Sequence, residues 1–149
     1  MNTILVCLDT STSSPRVLAE AKKLAQTLKF SVSLFHVIEP VASYVPVDAS
    51  MDVIVTSPPL LDDDQLAIAK KRLGDLAVPL QSAGLEVSVD AVIGMAVDEI
   101  IERSRTLHAD YVVLGSHGHG ALFHLFSGSV VNGVLKRSPV PVIVVPVRD

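Results

Sequence analysis

The most informative part of the sequence reads Leu114-Gly115-Ser116-His117-Gly118 and, after nine intervening residues, Gly128-Ser129-Val130-Val131. An apolar run that ends in Gly115 is typical of a strand, and Gly118 lets the chain turn sharply and bring bare backbone close to a ligand. The second stretch opens a segment with helical periodicity. Because a helix start offers unpaired N–H groups and the positive end of the helix dipole, it predicts a phosphate site. Tight turns alone would explain Gly115 and Gly118, but not the Gly-Ser pair.

Outward from these stretches, apolar runs alternate with amphipathic helical patterns along the chain. The predicted strands cover residues 3–8, 32–38, 85–93, 111–114 and 141–146, and a predicted helix follows each of the first four. Strict βα alternation predicts a parallel sheet with helices on both faces and right-handed crossovers. The expected fold is therefore α/β, Rossmann-like or flavodoxin-like, with five parallel strands in one domain spanning 1–149.

In open sheets of this kind, ligands bind at the carboxyl ends of the strands, where the strand order reverses. Asp9 follows the first predicted strand and Gly115 ends the fourth, so both are expected at that edge. Two interpretations of Asp9 remain open: a turn cap, or an acceptor for a ribose hydroxyl or an adenine amino group.

In the last predicted helix the inward-facing residues are expected to be Val130, Val131, Val134 and Leu135.

The segment 41–61 interrupts the alternation. It contains Pro46, Pro58 and Pro59, together with an apolar run at 53–55. A loop of this length is uncommon in a compact domain and usually serves as a lid, a partner surface or a mobile insertion. The sequence does not choose among these three roles.

Composition narrows the class of protein. A net charge of −4 over 149 residues, without a basic block, argues against a nucleic-acid surface. The single cysteine, Cys7, excludes an intramolecular disulfide and is expected to be a buried thiol in a reducing compartment. No apolar run approaches ~18 residues, and no signal segment precedes the first strand. The expectation is a soluble cytoplasmic protein with neither a membrane nor a nucleic-acid partner.

Other nucleotide and metal motifs fit poorly. The glycine spacing is the reverse of the dinucleotide fingerprint, and no Gly-Lys-Ser/Thr of a P-loop occurs. His117, His119 and His124 suggest a metal site, but no cysteine or carboxylate lies between them. No metal site is therefore predicted, and a metal-assisted hydrolase built on this histidine-rich loop stays as a rival hypothesis.

The last predicted strand is expected at an edge of the sheet, where unpaired main-chain groups invite association. Pro141 and Pro146 could shield a short edge. Alternatively, the Val142–Val145 strands of two copies pair antiparallel about a two-fold axis, which gives a homodimer.

Taken together, these motifs resemble the universal stress protein family, in its small single-domain, nucleotide-binding branch. The family signature G-x2-G-x9-G-S/T matches Gly115, Gly118, Gly128 and Ser129, and the similarity covers essentially the whole chain. Matching context is found at residues 6–9 with Ser11 and Ser14, at 36–38, at Gly94 and at 138–145.

The resemblance implies a homodimer that binds ATP or AMP, possibly with Mg, on a sheet of strand order 3-2-1-4-5. It implies that Asp9 contacts the adenosine moiety and that the Val37 backbone reads the adenine edge. The remaining implied contacts are Leu114 and Gly115 to the nucleoside, and His117, Gly118, Gly128, Ser129 and Val130 around the ribose and phosphates.

Two departures from the family bear on the choice of ligand. His119 stands where many members carry Arg or Lys, and Val131 where some ATP-binding members carry a hydroxyl. Both weaken the case for tight triphosphate binding, so ATP and AMP both stay open. The expected function is a nucleotide-binding stress sensor or regulator with an unspecified protein partner. At most slow, incidental ATP hydrolysis is expected, and a dimeric interaction module without nucleotide is the alternative.

Overall fold

A computed structural model of the chain describes residues 1–10, 14–40, 62–116 and 129–147. Within these residues strands and helices alternate as the sequence predicts. The elements are β1 Thr3–Cys7, α1 Ser14–Leu28, β2 Ser31–Ile38, α2 Asp62–Gln81, β3 Val87–Ile93, α3 Ala96–Thr106, β4 Tyr111–Gly115, α4 Ser129–Arg137 and β5 Val142–Val145. The segment 41–61, whose role the sequence leaves open, lies outside the described residues.

The strands form one parallel sheet in the order β3-β2-β1-β4-β5, which confirms the predicted fold class and strand order. The β1–β2 register runs from Thr3 opposite Ser31 to Cys7 opposite Phe35. Because β2 lies on one side of β1 and β4 on the other, the chain reverses its direction of winding between β1 and β4. Their carboxyl ends therefore flank the crevice in which this class of fold binds ligands.

Helices cover both faces of the sheet, and each face has its own apolar cluster. In the first cluster, α1 and α2 pack on residues such as Ile4, Val6 and Leu34. In the second, α3 and α4 pack on Leu5, Phe35 and their neighbours. Successive β1 side chains thus alternate between the two clusters, as expected for a strand covered on both faces.

Cys7 packs against the second cluster. This burial raises the pKa of its thiol, because an apolar environment disfavours the thiolate. The thiol therefore has the character of a small hydrophobe, as the sequence predicts. Among the described helices, none is both long enough and apolar enough to cross a bilayer.

The structure differs from two predictions made from the sequence, one on the inward face of α4 and one on the start of β3. Leu135 does not face inward: it is 51% exposed, whereas Val134 beside it is fully buried. The apolar stripe of α4 is therefore narrower than predicted. In addition, β3 begins at Val87 instead of residue 85, because the Leu85 N–H donates to the Leu80 carbonyl (3.2 Å) and closes the end of α2.

Gly133 sets the distance between α3 and α4. A Cβ at this position would lie 2.7 Å from Cγ2 and 3.1 Å from Cγ1 of Val97. Arg137, one turn further along α4, donates to Asp98 of α3 (2.6 Å). The two helices are thus held in close contact on the side of the sheet where the predicted ligand site lies.

Candidate ligand site at the carboxyl edge of the sheet

Three of the predicted site residues lie in one cluster. Leu114, near the end of β4, is 4% exposed and belongs to the second apolar cluster. Val37 of β2 and Val130 of α4 pack against the same cluster. These side chains come from three elements that are distant in the sequence, and they form an apolar wall at the edge where β1 and β4 end.

Asp9 lies at the same edge, two residues beyond the end of β1, and its side chain is exposed. The next residue, Thr10, has a positive φ of 59°, which turns the chain away from the strand direction. Asp9 thus brings a carboxylate to the edge that carries the apolar wall. It can accept hydrogen bonds from the hydroxyl or amino groups of a ligand.

Gly115 ends β4 in a tightly packed position. A Cβ there would lie 3.1 Å from Cγ2 of Val17 and 3.5 Å from Cγ2 of Val147. The following residue, Ser116, donates its N–H to the Val145 carbonyl (2.9 Å), and its Oγ accepts from the Val147 N–H (2.9 Å). The chain is therefore firmly anchored to β5 and to the residues after it, at the point where the signature stretch begins.

The two helices on this face differ in what their N-termini can accept. α4 begins at Ser129, as the Gly-Ser motif predicts, and the start of a helix favours an anion. At the start of α3, by contrast, the Glu39 carboxylate already accepts the Ala96 N–H (2.9 Å), and Asp98 and Glu99 occupy the first turn. Three carboxylates repel a phosphate, whereas the first turn of α4 contains no acidic residue, so of these two N-termini that of α4 suits an anion better.

One contact at this edge escapes the sequence analysis. The His36 ring Nδ1 lies 2.6 Å from the Leu8 carbonyl oxygen, next to Asp9. Because a carbonyl only accepts, Nδ1 carries the proton and donates. The sequence offers one signal, a histidine at the end of a predicted strand, but it gives no indication of the partner.

The remaining predicted residues of the site are not described. His117, Gly118 and Gly128 lie outside the described residues, as do His119 and His124 of the metal hypothesis. Within the described ranges, no group of three or more His, Cys, Asp or Glu side chains is arranged to hold a metal ion. The described residues thus place an apolar wall, the Asp9 carboxylate and the N-terminus of α4 around one crevice.

Comparison with known proteins identifies this architecture. A model of the universal stress protein family matches residues 1–146. The chain belongs to this family. Universal stress protein A homolog 2 of Coxiella burnetii is 32% identical over 97% of this chain and 94% of its own length. Stress response protein NhaX of Bacillus subtilis is 27% identical over 95% of this chain and 96% of its own length.

Some relatives in the family match only in part. The matched segment spans 28% of universal stress protein Slr1230 from Synechocystis and 48% of universal stress protein MJ0577 from Methanocaldococcus jannaschii, each at 32% identity. The solved structure of MJ0577 nevertheless superposes over 99% of this chain and 97% of its own, with a TM-score of 0.79 and 27% identity.

Two further solved universal stress proteins contain adenine nucleotides. One is in complex with cAMP, with a TM-score of 0.66 and 22% identity over 97% of this chain and 95% of its own. The other, from Archaeoglobus fulgidus, is in complex with dAMP, with a TM-score of 0.67 and 20% identity over 97% of each chain. At these identities, the likeness shows that the fold is shared.

Proposed function

We propose that this universal stress protein is a cytoplasmic regulator that binds an adenine nucleotide, ATP or AMP, in the crevice between β1, β4 and α4. One observation carries the proposal. α4 begins at Ser129 of the Gly-Ser pair, and the strand order reverses between β1 and β4, so both features of a phosphate-binding crevice belong to the same edge of the sheet. The cAMP and dAMP complexes of proteins with the same fold support the choice of adenine.

Each proposed contact uses chemistry available at this edge. In the apolar wall, the half-buried Val37 and Val130, which pack with the buried Leu114, offer a surface for the planar base and the sugar. The Val37 main chain reads the adenine edge, and the exposed Asp9 carboxylate accepts from the adenosine moiety. Gly115 lines the nucleoside. The ribose and phosphates then lie against His117, Gly118, Gly128, Ser129 and Val130.

The phosphate end of the proposed site has few fixed positive charges. α4 offers backbone donors, but Val131 contributes no hydroxyl. His119 stands where many members of the family carry Arg or Lys. We therefore propose that AMP competes effectively with ATP and that Mg, where ATP binds, contributes part of the charge neutralisation. The proposed role is binding and not catalysis, and any ATP hydrolysis is slow and incidental.

We further propose that the chain acts as a homodimer through β5. Among the described strands, β5 pairs with β4 alone, and Val142–Val145 contains no charge. On one face a groove of about 220 Å³ between α1 and the sheet is lined by Ile143 and Val145 beside this edge. On the other face, Leu135 projects from α4 on the side away from α3. A second copy would cover these apolar surfaces together.

Calorimetric titration of the purified chain with ATP, with and without Mg²⁺, and then with AMP tests nucleotide binding. One saturable site per chain is expected. Asp9→Ala should weaken binding about tenfold or more, because a charge-assisted hydrogen bond is worth about 1.5–3 kcal/mol. Asp75→Ala is the matched control: it removes an exposed carboxylate of α2 whose partner is Lys71, 3.5 Å away. It should leave the affinity unchanged.

The possible failures of this experiment are distinct. Equal affinities of the Asp9→Ala and Asp75→Ala variants would mean that the nucleotide binds elsewhere. An absence of heat with both nucleotides, from protein shown to be free of retained nucleotide, would reject nucleotide binding and favour the dimeric interaction module.

A further inference from the structure

The β1–β2 ladder ends beside the His36 ring. The last residue on the β1 side that bonds to β2 is Leu8, just after the end of β1, whose N–H donates to the Phe35 carbonyl (2.9 Å). In a parallel ladder, the Leu8 carbonyl would next accept the N–H of Val37. The register instead stops at the Cys7–Phe35 pair, and the Leu8 carbonyl accepts from the His36 ring at 2.6 Å. A side chain thus takes the acceptor that the next backbone donor would use.

The consequence falls on the main chain of Val37. In β2 the main-chain groups of Val32 and Ile38 bond to the β3 side, through Glu86 and Gly94. Because these groups alternate along a strand, those of Val37 point the other way, towards β1. β1 has ended at that level. The Val37 N–H and C=O therefore lie beyond the last β1–β2 pair, at the carboxyl edge, next to the crevice.

We propose that His36 is a positioning residue for base recognition: by holding the Leu8 carbonyl, it keeps the Val37 N–H and C=O out of the ladder and open to the ligand. This inference rests on the proposed nucleotide site and deepens it. An adjacent donor and acceptor complement adenine, which offers an acceptor at N1 and a donor at its amino group. The same pair opposes hypoxanthine, in which N1 donates and the oxygen accepts.

Three variants separate this role from simple stabilisation. His36→Phe keeps a ring but removes the donor, so the Leu8 carbonyl becomes available to Val37. His36→Asn places an amide N–H close to the position of Nδ1 and should restore the bond. Ser104→Ala is the control, because it removes another side-chain hydrogen bond to a backbone carbonyl, from Ser104 Oγ to Ile101 (2.7 Å), at the far end of α3.

The first measurement uses no nucleotide. Backbone amide exchange followed by NMR should show Val37 exchanging readily in the wild type, in His36→Asn and in Ser104→Ala. In His36→Phe the same amide should become about tenfold or more better protected, because it joins the ladder. A merely structural role for His36 predicts the opposite, since loss of a hydrogen bond would loosen this end of the sheet. Equal or lower protection of Val37 in His36→Phe would overturn the proposal.

The second measurement compares the affinities for ATP and ITP. The wild type should favour ATP by about tenfold or more, because ITP leaves both Val37 groups mismatched. The ratio should fall towards one in His36→Phe and stay within about threefold of the wild type in His36→Asn and Ser104→Ala. Wild-type binding with an undiminished ratio in His36→Phe would refute the inference alone. A wild type that binds neither nucleotide would refute the proposed function, and the inference with it.

Discussion

At the scale of single residues, two buried serines on one side of the sheet show how a hydroxyl's partner decides its effect on stability. Ser33 in β2 is fully buried, and its Oγ has no hydrogen-bond partner among the described residues. Ser104 in α3 is 1% exposed, but its Oγ donates to the Ile101 carbonyl at 2.7 Å. A buried hydroxyl without a partner loses its hydration and gains nothing in return.

The same substitution should therefore have opposite effects at the two sites. Ser33→Ala should raise the free energy of unfolding by about 1 kcal/mol, because it removes an unsatisfied polar group. Ser104→Ala should lower it by about 1 kcal/mol, because it removes a formed bond. Urea unfolding of both variants, compared at equal m-values, checks the signs. If both variants lose stability equally, the Ser33 hydroxyl has a partner after all.

At the scale of elements, glycine has opposite meanings in α2 and α4. An added Cβ at Gly74 in α2 meets nothing within 4 Å, whereas one at Gly133 in α4 meets Val97 at 2.7 Å. Valine is branched at Cβ and rotates little, so it cannot easily give way. Gly133 therefore fixes how closely α4, with its proposed anion-binding end, approaches α3.

Alanine substitution at Gly74 and at Gly133 should change the stability of the protein in opposite directions. Gly74→Ala should stabilise the chain by about 1 kcal/mol, the usual gain in a helix interior. Gly133→Ala should destabilise it by about 1 kcal/mol or more, because overpacking costs about 1–3 kcal/mol. Adding Val97→Ala to Gly133→Ala should recover part of that loss, measured as a coupling energy in a double-mutant cycle. Strict additivity of the two substitutions would show that the helices do not meet at these residues.

The sequence predicts the helices and strands better than the contacts between them. Local patterns predict the elements well, since strand and helix periodicities depend on near neighbours in the chain. They do not predict that Glu39 accepts from Ala96, 57 positions away, or that His36 reaches Leu8. Leu135 fails for a related reason. Periodicity identifies an apolar stripe, but how much of the stripe is covered depends on where the sheet ends.

For the whole molecule, the two edges of the sheet are built differently. Beside the β3 edge, Asp90 pairs with Lys70 and with Arg103, each at 3.3 Å, and charges at an edge discourage association. The β5 edge has no charge within the strand and has apolar surface on both sides. This asymmetry favours β5 as the edge through which the proposed homodimer forms.

The homodimer could pair through the β5 edge or through the β3 edge. One outward-pointing main-chain N–H in each edge strand allows the two arrangements to be tested separately. The bonds from Val112 to the Pro141 carbonyl (3.0 Å) and from Ser116 to the Val145 carbonyl (2.9 Å) direct the odd-numbered residues of β5 towards β4. The Val144 N–H therefore points to the open edge. By the same alternation, the bond from Val32 to the Glu86 carbonyl (2.9 Å) leaves the Val89 N–H pointing out from β3.

Proline can remove either outward donor without breaking an internal ladder bond, and edge strands tolerate it. Val144→Pro should shift the dimer towards the monomer by about tenfold or more in dissociation constant, measured by analytical ultracentrifugation over a range of concentrations. Val89→Pro, the same change at the opposite edge, should leave the dissociation constant unchanged. If Val89→Pro dissociates the dimer and Val144→Pro does not, the copies pair through β3. The ion pairs of Asp90 would then belong to the dimer interface. If the wild type stays monomeric at every concentration, the proposed homodimer is rejected. The flanking prolines would then shield the β5 edge, and each nucleotide site would be complete in a single chain.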